Sequence, residues 1–159
     1  MGISNIWVFS QESNGTATSG TLELLTHARS LGGSVTAFVG GDASAIAGIL
    51  GEYGATKVYA TGDLGGALPG AAVASAMKAV IDGGDSPDLI LFPQNYEGRD
   101  VMSRLSVKVD RTVLTNNVAV TVDGDTVTVT TPVFGGNTLV STSFSGSAPY
   151  LAAFRPKRS

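Results

Sequence analysis

The chain has 159 residues, the size of one ordinary domain, of which 43% are hydrophobic and 14% charged, with a formal net charge of −3. That composition supports a buried core and excludes intrinsic disorder, which needs low hydrophobicity and high net charge. It carries no Lys/Arg excess of the kind a nucleic-acid binder needs to neutralise phosphates, so no nucleic-acid partner is expected.

Cysteine is absent and His27 is the one histidine, which excludes disulfides, thiolate metal centres and histidine clusters. The chain runs straight into Ile6-Trp7-Val8-Phe9 without a basic leader, and no apolar run nears the ~20 residues of a membrane span. A cytoplasmic protein without membrane insertion is the expectation.

Up to about residue 110, short β-branched runs alternate with helical stretches. Asn5–Ser10 is apolar at Ile6, Trp7, Val8 and Phe9, the pattern of a strand covered on both faces. Asn14-Gly15 then predicts a turn. Thr21–Leu31 carries Leu24, Ala28 and Leu31 at helical spacing, and Gly32-Gly33 stop it. Ser34–Val39 is a second strand, followed by an N-cap at Asp42 or Ser44 and a helix with Ile46, Ile49 and Leu50 on its inner stripe. Thr56–Ala60 is a short third strand. Pro69–Ile81 is an Ala-rich helix with Val73, Met77, Val80 and Ile81 facing inward, ended by Gly83-Gly84. Asp88–Phe92 is the clearest buried strand, and a helix from Glu97 to Val109 follows with Val101, Leu105 and Val109 inside. Repeated βα units of this kind predict a parallel sheet with right-handed crossovers.

After residue 110 helical periodicity disappears. Val118–Val122, Thr126–Thr131, Leu139–Phe144 and Tyr150–Phe154 are Thr/Val-rich strands, and Asp123-Gly124 is a hairpin signal between the first two. The expectation is an α/β part over about 1–115 and a β-rich extension over about 116–155 that extends or edges the same sheet. No linker is visible, so 1–159 is expected to be a single domain.

In open parallel sheets ligands bind beyond the carboxyl ends of the strands, which makes Ser10–Gly20, Gly40–Asp42, Gly62–Gly66 and Pro93–Arg99 the candidate rim. Glu12 in the first loop is a candidate ribose ligand or general base, weighed against a solvated turn tipped by Asn14-Gly15. The loop Gln94 to Asp100 enters a helix, so its backbone N–H groups suit an anion and Arg99 suits a phosphate or a partner's carboxylate. Against this, Glu97 and Asp100 also complement a helix N-terminus, with Arg99 on a solvated face. His27 falls off the apolar stripe of its helix and reads as a surface or packing residue. Neither the Gly-x-Gly-x-x-Gly fingerprint nor a P-loop occurs, and no Gly-x-Ser-x-Gly marks a nucleophile. No catalytic residue and no metal site is assigned, and an enzyme is not expected.

The order Thr21-Leu22-Glu23-Leu24-Leu25-Thr26-His27-Ala28-Arg29, Tyr53-Gly54-Ala55-Thr56-Lys57-Val58, Pro87-Asp88-Leu89-Ile90-Leu91-Phe92-Pro93 and Gly98-Arg99-Asp100, followed by Pro132-Val133-Phe134-Gly135-Gly136-Asn137 and Phe154-Arg155-Pro156, resembles the N-terminal domain of electron transfer flavoprotein alpha subunits. The resemblance runs through essentially the whole chain. It implies an α/β fold with a five-stranded parallel sheet flanked by helices, of the adenine nucleotide alpha hydrolase-like type, with additional antiparallel strands. It implies a scaffold role in a heterodimer with a beta subunit, which carries electrons from flavin dehydrogenases to a quinone-reductase-type acceptor.

In such proteins FAD does the electron chemistry and is held mostly by a second domain, while AMP belongs to the beta subunit. FAD is therefore expected in the complete heterodimer and not on this domain alone, and the chain is expected to be part of a longer subunit. Gly98, Arg99, Gly136 and Asn137 match family segments and are the candidate loop residues for the cofactor or the interface, with Asp100 beside them. The alternative is a stand-alone adenine-nucleotide-binding module of the universal-stress-protein type, built on Ser10–Gly15 and on Gly136 with Gly146-Ser147. Its glycine pattern is broken by Val133.

Overall fold

The computed structural model describes residues 3–133, 135 and 137–155. The candidate Gly136, and with it Phe134 and Pro156 of the family-like segments, lie outside the described residues. The chain builds β1 (Asn5–Ser10), β2 (Glu12–Ser13), β3 (Thr16–Ala17), α1 (Ser19–Ser30), β4 (Ser34–Val39), α2 (Ala47–Glu52), β5 (Ala55–Ala60), α3 (Pro69–Asp82), β6 (Leu89–Pro93), α4 (Tyr96–Val109), β7 (Val113–Asn117), β8 (Ala119–Asp123), β9 (Thr126–Val133), β10 (Thr138–Ser143) and β11 (Tyr150–Phe154).

The main sheet has six strands in the order β5-β4-β1-β6-β11-β7, and every pairing within it is parallel. The alternation that makes the central strands apolar on both faces divides the core in two. Ile6, Val8, Leu89, Leu91, Ala152 and Phe154 point to the layer of α1 and α2. Trp7, Phe9, Ile90, Phe92, Leu151 and Ala153 point to the layer of α3 and α4. The helices supply matching stripes, Thr21, Leu24, Leu25 and Ala28 on α1 and Val101, Met102 and Leu105 on α4.

β8, β9 and β10 form a separate antiparallel sheet in the order β10-β9-β8. Val120, Val127 and Val129 of this sheet join the core on the α1 side. The tail therefore departs from the expected simple extension. Its last strand enters the main sheet between β6 and β7, where Ala152 and Ala153 are fully buried, and its middle strands build their own sheet. The main sheet accordingly has one strand more than the five expected, because Val113–Asn117 pairs in parallel with β11.

One local expectation needs correction and another holds. Neither Asp42 nor Ser44 caps α2: Asp42 Oδ1 accepts from Ser44 N at 2.9 Å in a turn, and the helix begins after Ile46 with no side-chain cap. The turn at Asn14-Gly15 closes the small hairpin β2–β3, with both residues at positive φ, 54° and 80°.

Candidate functional site

The order in which strands are added reverses between β1 and β6: β4 and β5 lie to one side of β1, and β6, β11 and β7 to the other. Such a switch point leaves a crevice outside the carboxyl ends of the two strands. A cavity of about 320 Å³ opens there. Its wall comes from Gln11 after β1, from Thr18, Ser19, Glu23 and His27 on α1 and its cap, from Gln94 and Asn95 after β6, and from Phe154 and Arg155 at the end of β11.

The floor is a set of amides that hold one another. Asn95 Nδ2 donates to Gln11 Oε1 at 2.8 Å, and Gln11 Nε2 donates to Glu97 Oε1 at 2.9 Å. Asn95 is at the same time the N-cap of α4, its Oδ1 accepting from Gly98 N at 2.8 Å. On the opposite wall Thr18 caps α1 and donates its hydroxyl to Thr21 Oγ1 at 2.8 Å, which also accepts from Gln11 N at 2.8 Å. Gln94 N donates to the Phe154 carbonyl at 2.9 Å, and Gln94 Oε1 accepts from Asn116 N. The ring of His27 stacks on Phe154 with centroids 6.0 Å apart.

This lining suits a small polar group. At about 320 Å³ the cavity is at the lower end of small-ligand sites, too small to enclose a whole FAD. Among the described residues, Gly20 is the only glycine in its lining, so no glycine-rich loop is there to cradle a diphosphate. The residues present do not fit FAD as a complete site. Among the described residues no group of His, Asp and Glu could hold a metal ion, and no helix is long and apolar enough to cross a membrane.

The sequence-derived candidates fall in several places. Gly98 packs under the first turn of α4, where a Cβ would overlap the Pro93 carbonyl oxygen. Its identity follows from that close approach. Arg99 is exposed, with Nε donating to the Asn95 carbonyl at 3.3 Å. Asp100 lies against Gly70, where α3 passes α4, and accepts from Arg104 Nε at 2.9 Å. Asn137 is exposed in the turn between β9 and β10. None of Gly98, Arg99 and Asn137 lines the cavity.

Glu12 spends its carboxylate on its own hairpin, accepting from Gly15 N at 2.6 Å. In the Gly40–Asp42 and Gly62–Gly66 loops, Gly41 N donates to Thr61 Oγ1 at 2.8 Å and Gly65 N to Asp63 Oδ1 at 2.8 Å. The two loops of the nucleotide-module alternative are parted: Gln11 lines the large cavity, whereas Gly146 and Ser147 line a smaller one of about 180 Å³ with Arg111 and Tyr150. His27, Phe154 and Arg155 are cavity residues that the sequence did not mark as ligand-site candidates. Only the insertion of β11 beside β6 brings the last two to the same rim as Gln11.

A model of the electron transfer flavoprotein domain matches residues 6–158 of this chain. The electron transfer flavoprotein subunit alpha of Syntrophomonas wolfei is 31% identical over 153 residues. The match takes in 94% of this chain and 47% of that protein, so the chain spans about half the length of the curated relative it matches. With a parallel α/β sheet in the order described and a family match over nearly its whole length, this chain belongs to the electron transfer flavoprotein domain family.

Proposed function

We propose that the chain works as the N-terminal scaffold domain of an electron transfer flavoprotein alpha subunit, one unit over 1–159 that pairs with a beta subunit. The observation that carries this reading is the unequal coverage of the match, nearly all of this chain against under half of the relative. In this reading FAD belongs to the complete heterodimer and AMP to the beta subunit. The assembled protein passes electrons from flavin dehydrogenases to a quinone-reductase-type acceptor, with the flavin supplying the electron chemistry and the polypeptide its position and surroundings.

The surface supports a docking role. All six residues of β10 are exposed at the edge of the antiparallel sheet. Leu139 and Val140 are 64% and 43% exposed there, on a strand carrying neither Pro nor charge to protect its edge. Arg99 and Asn137 are free of the cavity and available to a partner.

Light scattering on the purified chain mixed with the beta subunit from the same genome tests the proposal. The expected result is a one-to-one complex and a chain that is colourless alone. Stoichiometric FAD retained by the isolated chain, or failure to associate at micromolar concentrations, would overturn it.

A further inference from the structure

We propose that Trp7, Tyr59 and Asp85 form an outlet that carries an oxidising equivalent from the core to the protein surface, with Tyr59 as the terminal, proton-coupled electron donor. Trp7 is the sole tryptophan of the chain and is fully buried. Its ring centroid lies 5.1 Å from Phe38 and 6.2 Å from Tyr59, and Phe38 lies 5.4 Å from Tyr59. The three rings therefore make one contact group, and only Tyr59 is partly exposed. At the rim the Tyr59 hydroxyl donates to Asp85 Oδ2 at 2.5 Å, a short phenol–carboxylate hydrogen bond. Lys57 Nζ and Asn5 Nδ2 hold the same carboxylate, at 3.3 and 3.1 Å.

Trp7 Nε1 is buried without a hydrogen-bond partner, and such orphaned donors are rare in native cores. No protein group accepts from it, so the proton that moves in the transfer is the one the Tyr59 phenol shares with Asp85. An indole cation so confined remains a strong oxidant and draws an electron from the nearest oxidisable ring. Met77 and Met102 share the core with Trp7, and sulfoxide formation there would place polar groups among buried apolar ones.

The step balances within the protein. A strong one-electron oxidant of the oxygen-radical or photo-oxidised metal-complex class takes one electron from Trp7. The Trp7 cation takes one electron from the Tyr59 ring. The phenol O–H bond breaks and its proton passes to Asp85 Oδ2, leaving neutral indole, a neutral tyrosyl radical and a protonated carboxyl. An oxidised phenol is a far stronger acid than any carboxylic acid, so Asp85 accepts that proton even with an ammonium beside it. A diffusible one-electron reductant of the ascorbate class then restores the phenolate oxygen's electron at the surface, and the proton returns from Asp85.

Flash photolysis of the chain with tris(bipyridine)ruthenium(III) generated in situ tests this directly. The expected record is decay of the indole cation band matched by growth of the tyrosyl band, slower in deuterium oxide. Tyr59→Phe lengthens the indole cation lifetime at least about tenfold and abolishes the matched growth. Asp85→Asn, which keeps the phenol but removes its proton acceptor, slows the growth by a similar factor, about tenfold. Near-ultraviolet circular dichroism of each variant checks that the aromatic packing is intact. An indole cation lifetime unchanged in folded Tyr59→Phe overturns the proposal, as does tyrosyl growth insensitive to Asp85→Asn.

Discussion

A Cβ on Gly98 would fall on the Pro93 carbonyl oxygen, so Gly98→Ala forces the first turn of α4 away from the end of β6. Overpacking of this kind costs about 1–3 kcal/mol, which urea unfolding of the variant should register as a lower midpoint. Asn117 presents the opposite case, a buried polar side chain with every partner in place. Its Nδ2 donates to the Leu114 and Ala153 carbonyls, both at 2.9 Å, and its Oδ1 accepts from Thr131 Oγ1 at 2.9 Å. Asn117→Ala removes one hydrogen-bond partner from each of those three groups, and a loss of about 2 kcal/mol in the same assay is expected.

Asp85 and Tyr59 make stability depend on pH at both ends. The hydrogen bond from Tyr59, with help from Lys57 and Asn5 against the cost of burial, holds the Asp85 carboxyl below its ordinary value of 3.8. The hydrogen bond to Asp85, followed by burial, raises the Tyr59 phenol above 10.0. A lowered carboxyl contributes stability above its unfolded value that is lost as pH falls through the folded one. A raised phenol contributes stability below its unfolded value that is lost as pH rises through the folded one. Asp85→Asn should therefore lower stability at neutral pH, and the gap to the unaltered chain should narrow as pH falls below the ordinary carboxyl value of 3.8. Urea midpoints over a pH series measure it.

At the scale of elements, Asn95 joins the fold to the cavity. It caps α4 and holds Gln11 across the switch point. Asn95→Ala should cost about 1 kcal/mol through the lost cap, and hydrogen exchange should rise at Gly98, whose N–H loses its acceptor, while β4 is unchanged. The elements themselves were largely legible. Trp7 and Phe9 on one face and Ile6 and Val8 on the other mark a strand buried on both sides, and Leu24 and Ala28 mark the inner stripe of α1, with Leu31 falling at its C-cap. β7 was not legible, because Asn116 and Asn117 are poor strand residues and Asn116 has positive φ, 62°. What holds β7 in the sheet is the network around Asn117, whose partners are up to 36 residues distant in sequence. The cavity was half legible for the same reason. Gln11, Gln94 and Asn95 follow strands and fall where a switch-point rule places them, but Phe154 and Arg155 arrive through a crossover that no local pattern announces. Gly98 belongs to a family-like segment, and its close approach to Pro93 is a packing reason for glycine there.

For the whole molecule, the antiparallel sheet is the part that a βα framework does not need. Its inner face, with Val120, Val127 and Val129, is spent on the core, which leaves the β10 edge as its outer feature. If that edge meets the beta subunit, Leu139→Lys should weaken the complex by about tenfold or more without lowering the urea midpoint of the chain, because Leu139 is exposed. Titration of the beta subunit into each variant separates docking from stability. The measurement that bears most directly on the scaffold role is a native mass spectrum of the chain expressed together with the beta subunit. A heterodimer in which nucleotide-sized ligands remain with the beta subunit, beside an isolated chain that is bare, is the predicted result. A bare monomer in the presence of the beta subunit, or an isolated chain holding its own nucleotide, would contradict it.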